Sequence, residues 1–233
     1  MKVLGLDCAT RGCSAAVCVD GTIVGQRFDA MTRGQAEHLM SMVEGALGDA
    51  GLRVAALDHL AVTIGPGAFT GLRVAIATAR GLSLASGVPV GGVTTMETLA
   101  FAARADIDDR SSTIVSLESR RQDVYLQMFT RSGEPADEVE AVTPDGLTAW
   151  FLSHDIGPAP VLVGDAAARV RSGLGNAISQ LRIAAGPIIP DAADVAALAR
   201  EKLLAGRALS DLVPLYLRPP DAALPQHGGR LRP

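Results

Sequence analysis

The sequence predicts an α/β protein of two successive units, each a mixed sheet flanked by helices. Three observations predict it. Short apolar strands alternate with segments whose apolar residues recur at helical spacing. The chain opens with a three-stranded antiparallel meander before any helix. After the polar segment Asp106-Ile107-Asp108-Asp109-Arg110-Ser111-Ser112 the same order of elements starts again, which reads as an internal duplication.

In the first unit Val3-Leu4-Gly5-Leu6 is a buried strand ending at Asp7. A turn through Thr10-Arg11-Gly12 leads to the strand Ser14–Val19, and Asp20-Gly21 is a hairpin signal before Thr22–Gly25. From Gln35 to Ala50 a helix places Leu39, Met42, Val43, Ala46, Leu47 and Ala50 on one face. Leu60–Ile64 is the next strand, and a helix runs from Phe69 to Ser86. Val88–Val93 is again a strand, and Thr95 is placed to cap a helix reaching about Ala105.

In the second unit Thr113–Leu117, Val124–Phe129, Glu138–Val142 and Val161–Gly164 read as strands. Pro144 starts a helix through Leu147, Trp150 and Phe151. Asp191–Ala205 is the last helix, with Val195, Leu198 and Ala199 inward. The expected divisions are therefore 1–105, 106–190, a helix and strand-like end at 191–217 packing back on the body, and a flexible Pro-, Gly- and Arg-rich tail at 218–233.

Bulk composition narrows the function classes. The 233 residues are 48% hydrophobic but only 3% aromatic, so the core is made of small aliphatic side chains and needs close backbone approach. A net charge of −4 argues against the chain holding a nucleic acid by itself, because phosphate binding needs a dense Lys/Arg surface. The three cysteines, Cys8, Cys13 and Cys18, fit neither a disulfide framework nor a zinc site and read as reduced, partly buried thiols. With no signal peptide and no apolar run of spanning length, the expectation is a cytoplasmic protein without a membrane partner.

The string Ile64-Gly65-Pro66-Gly67-Ala68-Phe69-Thr70-Gly71-Leu72-Arg73 carries the most information. Gly65, Pro66 and Gly67 make a stiff turn that lets backbone come close to something else, and Thr70 can cap the helix that follows. A Gly-rich turn at a helix N-terminus suits an anion, or serves only as a tight connection. The helix itself is apolar on two sides: Leu72, Ile76, Ala79, Leu82 and Ser83 on one, Val74, Ala77, Thr78, Gly81 and Ala85 on the other. Only Arg73 and Arg80 share a polar flank. A surface helix carries a broad polar back. This one must be covered on both sides, by its own chain or by another protein.

These pieces resemble the TsaB family, the dimerisation subunits of the bacterial tRNA threonylcarbamoyladenosine complex. Val3–Thr10 with Cys13-Ser14 is similar to the family's opening hairpin. Gly65–Arg73 is similar to its Gly-Pro-Gly-Ser-Phe-Thr-Gly-Leu-Arg signature, with Ala68 for the serine. Leu117–Tyr125, Val163-Gly164-Asp165 and Pro214–Arg218 resemble its later signatures. The resemblance implies two tandem actin-like/Hsp70-like ATPase (RNase H-like) domains and a non-catalytic relative of TsaD, the subunit that transfers the threonylcarbamoyl group to the adenosine next to the tRNA anticodon. It implies a TsaD-like partner, a TsaE-like ATPase joining the pair, contact with tRNA only through the complex, and no cofactor. It places the docking surface on the Gln35–Ala50 and Phe69–Ser86 helices, through Leu39, Met42, Val43, Ala46, Arg73, Val74, Ala77, Thr78, Arg80, Gly81 and Ala85. An uncovered surface of this kind predicts a homodimer when the partner is absent.

An active ATPase of that fold needs a carboxylate at the end of the first strand and phosphate-cradling turns in both domains. Asp7 is available, as a turn cap or a vestigial ligand. The second hairpin offers Glu118-Ser119-Arg120-Arg121-Gln122, without a glycine to wrap a phosphate, although Arg120 could touch an anion. The catalytic relative holds a metal through two histidines four apart; here that helix has only His38, with Gln35 where relatives often carry histidine. One ligand is too few for a metal site. No nucleophile–base pairing is visible around Ser14, Ser116 or the cysteines. The expected reading is a pseudoenzyme subunit; the alternative is a stand-alone nucleotide-binding hydrolase of the same fold.

Overall fold

The computed structural model describes residues 1–107, 112–119, 121–130, 132–186 and 188–217. Most of the polar segment at 106–112 and the whole expected tail at 218–233 therefore lie outside the described residues.

Strands β1 (Lys2–Asp7), β2 (Gly12–Val19) and β3 (Thr22–Ala30) form the opening meander, followed by α1 (Gln35–Asp49), β4 (His59–Thr63), α2 (Phe69–Ser86), β5 (Val90–Val93) and α3 (Thr95–Ala102). The second series is β6 (Thr113–Glu118), β7 (Val124–Phe129), β8 (Glu140–Val142), α4 (Leu147–Ser153), β9 (Val161–Val163), α5 (Ala167–Leu174), β10 (Arg182–Ile183) and α6 (Ala192–Leu204). The first sheet has the order β3-β2-β1-β4-β5 and the second β10-β9-β6-β7-β8. Each central strand, β1 or β6, is antiparallel to the meander strand after it and parallel to the strand that returns after a helix. The two sheets thus share one topology, the actin-like arrangement expected of a duplicated α/β chain.

Four apolar layers hold them. Leu4, Leu6, Val62 and Leu60 meet α1 and α2 on one face of the first sheet. On its other face Val3, Cys18, Ala61 and Val93 meet Val195, Ala196, Leu198 and Ala199 of α6. Gly5 makes that contact tight: a Cβ there would lie 2.2 Å from the Ala192 carbonyl oxygen. In the second sheet, Ile114, Leu126 and Leu162 pack under α4 and α5, while Val115, Leu117 and Val163 are covered by Met96, Leu99 and Ala100 of α3. The last helix of each series therefore lies on the sheet of the other.

Several local expectations change. The helix N-cap of α3 is Thr94, not Thr95: its hydroxyl accepts from the Glu97 N–H at 3.0 Å while Glu97 Oε2 accepts from the Thr94 N–H at 2.8 Å. A capping box needs its hydroxyl three residues before the glutamate. The expected reach of this helix to Ala105 ends in a 3₁₀ turn from Ala103. Pro144 likewise opens a 3₁₀ turn, with α4 starting at Leu147. Helix α5 and the short strand β10 were not legible in the sequence.

Beyond α6 the chain folds back as an extended strap. Ser210 exchanges backbone hydrogen bonds with Gly92 at 2.7 and 2.9 Å, and the Leu215 N–H donates to the Ile64 carbonyl at 2.7 Å. The strap thereby adds backbone pairing beside β5 and ends against the Gly-Pro-Gly turn.

Candidate functional site

The Gly-Pro-Gly turn follows directly from β4 and is filled by its own chain. The Gly65–Pro66 peptide is cis and Gly65 has φ +115°, a left-handed conformation that glycine supplies without strain. The Ala68 N–H donates to the Ala9 carbonyl at 2.6 Å. A Cβ on Gly67 would lie 2.1 Å from the Ala9 oxygen, and one on Gly71 would lie 2.0 Å from the Cys8 oxygen. These glycines make room for the β1–β2 turn. The groups pressed against them are carbonyl oxygens, which repel an anion, so this turn does not fit a phosphate. Thr70 does not cap α2: the helix starts at Phe69 after the extended residue Ala68, with no side-chain cap, and Thr70 lies exposed in its first turn.

Asp7 sits fully buried at the end of β1. Its Oδ1 accepts from Thr63 Oγ1 at 2.6 Å and from the Ala9 N–H at 3.1 Å, which is the turn-capping geometry expected of an aspartate here. Its Oδ2 has no hydrogen-bond partner among the described residues. Burial pushes its pKa up to about 7; the two hydrogen bonds oppose the rise, and the Asp191 charge adds to it.

The corresponding hairpin of the second sheet is held by Arg169 of α5. This guanidinium donates to the Asp123 carbonyl at 2.7 Å and pairs with Glu118 at 3.3 Å, so a cation of the chain itself occupies the inside of the turn. Arg120 lies outside the described residues. Arg11, on the β1–β2 turn, reaches Asp165 at 3.4 Å, and Asp165 in turn accepts from the Glu118 N–H at 2.9 Å. The two turns are thus tied to each other. A nucleotide between them would have to displace these contacts.

Helix α2 separates its two apolar sides. Leu72, Ala75, Ile76 and Ala79 are buried. Val74 and Thr78 are half-buried, while Ala77, Gly81 and Ala85 are exposed. Leu84, absent from the sequence-derived set, is 90% exposed on the same side. It falls at i+3 from Gly81 and i+7 from Ala77, a spacing that would have revealed it.

Two expectations for this surface, and one for the cysteines, are corrected. Leu39, Met42, Val43 and Ala46 do not face outward; they are the buried side of α1 against the first sheet. Periodicity finds the apolar face of a helix, and here the chain's own sheet covers it. Arg73 and Arg80 are committed to the strap: Arg73 Nε donates to the Tyr216 hydroxyl at 2.9 Å and Arg80 Nη2 to the Leu212 carbonyl at 2.8 Å. Arg73 also lies 3.5 Å over the Phe69 ring, which stacks on Tyr216 at 5.3 Å. Third, all three cysteines are fully buried rather than partly so.

His38 is exposed on α1, and no group of three or more His, Cys, Asp or Glu side chains is placed to hold a metal among the described residues. A Ser–His–Asp array does occur at the end of α4: Ser153 Oγ lies 3.1 Å from His154 Nδ1, and His154 Nε2 lies 3.1 Å from Asp137. It is structural. Nδ1 is 2.7 Å from the Trp150 carbonyl, to which it donates, so no lone pair is left to take the Ser153 proton. No described helix is long and apolar enough to cross a membrane.

Comparison with known proteins adds to this geometry. Residues 29–208 match the family described as TsaD: tRNA N6-adenosine threonylcarbamoyltransferase. The chain is 32% identical over 145 residues to the tRNA threonylcarbamoyladenosine biosynthesis protein TsaB of Escherichia coli, a stretch covering 61% of this chain and 62% of that one. In three dimensions it is similar to YeaZ from Pseudomonas aeruginosa, with a TM-score of 0.74 and 25% identity over 93% of this chain and 99% of the other. A ROK hexokinase from Thermus thermophilus shares the fold alone, at a TM-score of 0.50 and 16% identity over 89% of this chain.

Proposed function

The chain belongs to the TsaD family of tRNA N6-adenosine threonylcarbamoyltransferase proteins, among the relatives named TsaB, and from that premise we propose that it is a non-catalytic partner subunit in tRNA threonylcarbamoyladenosine biosynthesis. In this reading it pairs with a TsaD-like sister that carries the transferase chemistry, a TsaE-like ATPase joins the pair, and tRNA is met only through the assembly.

The observation that carries the reading is the bare side of α2. Ala77, Gly81, Leu84 and Ala85 form an apolar strip of mostly small residues that none of the described residues covers. Small side chains let a second helix approach closely, and an exposed apolar strip of this kind marks an interaction surface. The non-catalytic part of the reading is supported by the carbonyl-lined Gly-Pro-Gly turn and the arginine-filled second hairpin.

Co-expression with the TsaD-like protein of the same organism, followed by gel filtration, tests the proposal. A stable heterodimer is expected, and Gly81→Glu should weaken it at least tenfold, about 1.4 kcal/mol, while leaving the isolated subunit folded. Ala79 is unsuited to this test because it is buried, and a charge there would disrupt the core. Undiminished co-purification of the folded Gly81→Glu protein would refute the docking face. Turnover of Mg-ATP by the isolated subunit would favour the hydrolase reading instead. Without the partner the same strip should give a concentration-dependent homodimer in light scattering.

A further inference from the structure

A pair of sulfurs facing each other across the first hairpin is a site of chemistry that the docking role leaves unused. The β1–β2 ladder ends with Leu6 opposite Ala15 and Asp7 opposite Ser14, and Cys8 and Cys13 lie one step beyond its last pair. Their sulfurs lie 3.5 Å apart, in hydrogen-bond contact, on one face of the sheet. Opposed residues of antiparallel strands have Cα atoms about 4.5–5.5 Å apart, which falls inside the roughly 4.4–6.8 Å that a disulfide spans. Cys18, on the same strand, points to the opposite face among Val3, Ala61 and Val195.

We infer that Cys8 and Cys13 form a peroxide-sensitive dithiol that closes to an intramolecular disulfide beneath the N-termini of α1 and α2. The inference does not depend on the proposed docking role. Cys13 Sγ is 4.0 Å from the Gln35 carbonyl at the start of α1, and the Cys8 carbonyl abuts Gly71 at the start of α2. The Cys8 S–H bond to Cys13 lowers the Cys13 pKa, against burial and the charges of Asp7 and Asp29. The same bond, with burial and Asp7, raises that of Cys8. Cys13 is thus the sulfur that ionises first.

The chemistry balances with a hydroperoxide as oxidant. The Cys13 thiolate attacks one peroxide oxygen, the O–O bond breaks, and hydroxide leaves a Cys13 sulfenic acid. The Cys8 sulfur then attacks the Cys13 sulfur; the S–S bond forms, the S–O bond breaks, and the Cys8 proton departs with the oxygen as water. In total, two thiols and one hydrogen peroxide give one disulfide and two waters. Both sulfurs are buried, so access requires local opening of the turn at Ala9–Gly12, which breaks the Ala68 N–H bond to the Ala9 carbonyl and releases Arg11 from Asp165.

The test uses the intact chain, treated with hydrogen peroxide at doses that leave methionine unoxidised, then denatured and alkylated. The expected product is 2 Da lighter, carries one alkylatable thiol, and yields a tryptic disulfide joining the peptide that ends at Arg11 to the one that begins at Gly12. The link should persist in Cys18→Ala and vanish in Cys13→Ala. If Cys13→Ala does not fold, the wild-type and Cys18→Ala peptide maps decide. Three alkylatable thiols after treatment, a link through Cys18, or a link between two chains would overturn the inference.

Discussion

Asp7 is where burial, hydrogen bonding and neighbouring charge act on a single side chain. Because burial raises its pKa from the ordinary 3.8 to about 7, the folded protein holds a proton that the unfolded chain releases. The stability this proton confers is fully present below about pH 4 and is lost progressively as pH rises through 7. The upper limit is roughly 4 kcal/mol, from a rise of about three pK units at about 1.4 kcal/mol each. Asp7→Asn keeps a carbonyl oxygen for Thr63 and Ala9 and cannot ionise. Its melting temperature, relative to wild type, should therefore be several degrees higher at pH 8 than at pH 4. Asp194, raised by burial to about 6, follows the same sign in both proteins and cancels in the comparison. A relative melting temperature that falls as pH rises would show that Asp7 is ionised in the folded state.

At the scale of elements, α2 carries a conflict between its own stability and its proposed task. Gly81 sits in the helix interior, and a Cβ there would meet no atom within 4 Å. An interior glycine costs a helix about 0.5–1 kcal/mol relative to alanine. Gly81→Ala should therefore raise the stability of the isolated subunit by that amount in urea unfolding and at the same time weaken the heterodimer. Loss of stability on this substitution would mean that the helix face is already packed. The bounds of α2 were legible because Gly67 and Gly87 punctuate a long, mainly apolar run whose only charges are Arg73 and Arg80. Its bare side was legible because Ala77, Gly81 and Ala85 leave no polar back. Which α1 face was covered could not be read, since Leu39, Met42, Val43 and Ala46 show the same pattern whether a sheet or a partner lies over them. A strand-like end packing back on the body was expected within 191–217, but where this strap lands was hidden for another reason. It is held by backbone at Gly92 and Ile64 and by single contacts from Arg73 and Arg80, and backbone pairing leaves no pattern of side chains. The motif turn was read correctly as a close approach, but its neighbour, the Ala9 carbonyl, is brought there only by the β1–β2 fold.

The whole molecule is bound together by exchanged helices, and this sets how it should unfold. Helix α3 leaves the first sheet to cover Val115, Leu117 and Val163 of the second, and α6 returns to cover Val3, Ala61 and Val93 of the first. Two ion pairs fasten the exchange: Lys202 of α6 lies 2.5 Å from Glu97 of α3, largely buried, and Arg104 lies 2.9 Å from Glu201, partly exposed. With so few aromatic residues, each sheet depends on this close cover of Ala, Val and Leu for much of its apolar burial. Neither sheet can lose its foreign helix without exposing a full face, so the two halves should melt as one unit despite their duplicated topology. Trp150, the single tryptophan, belongs to the core of the second sheet, whereas far-ultraviolet circular dichroism reports on both. In urea the two signals are expected to give the same midpoint and slope, the signature of a single transition. A chain ending at residue 190, which lacks α6, should fail to give that transition in either signal. If tryptophan fluorescence of the full chain moved at a different urea concentration from the circular dichroism, the halves would be independent domains and the exchanged helices mere decoration on each.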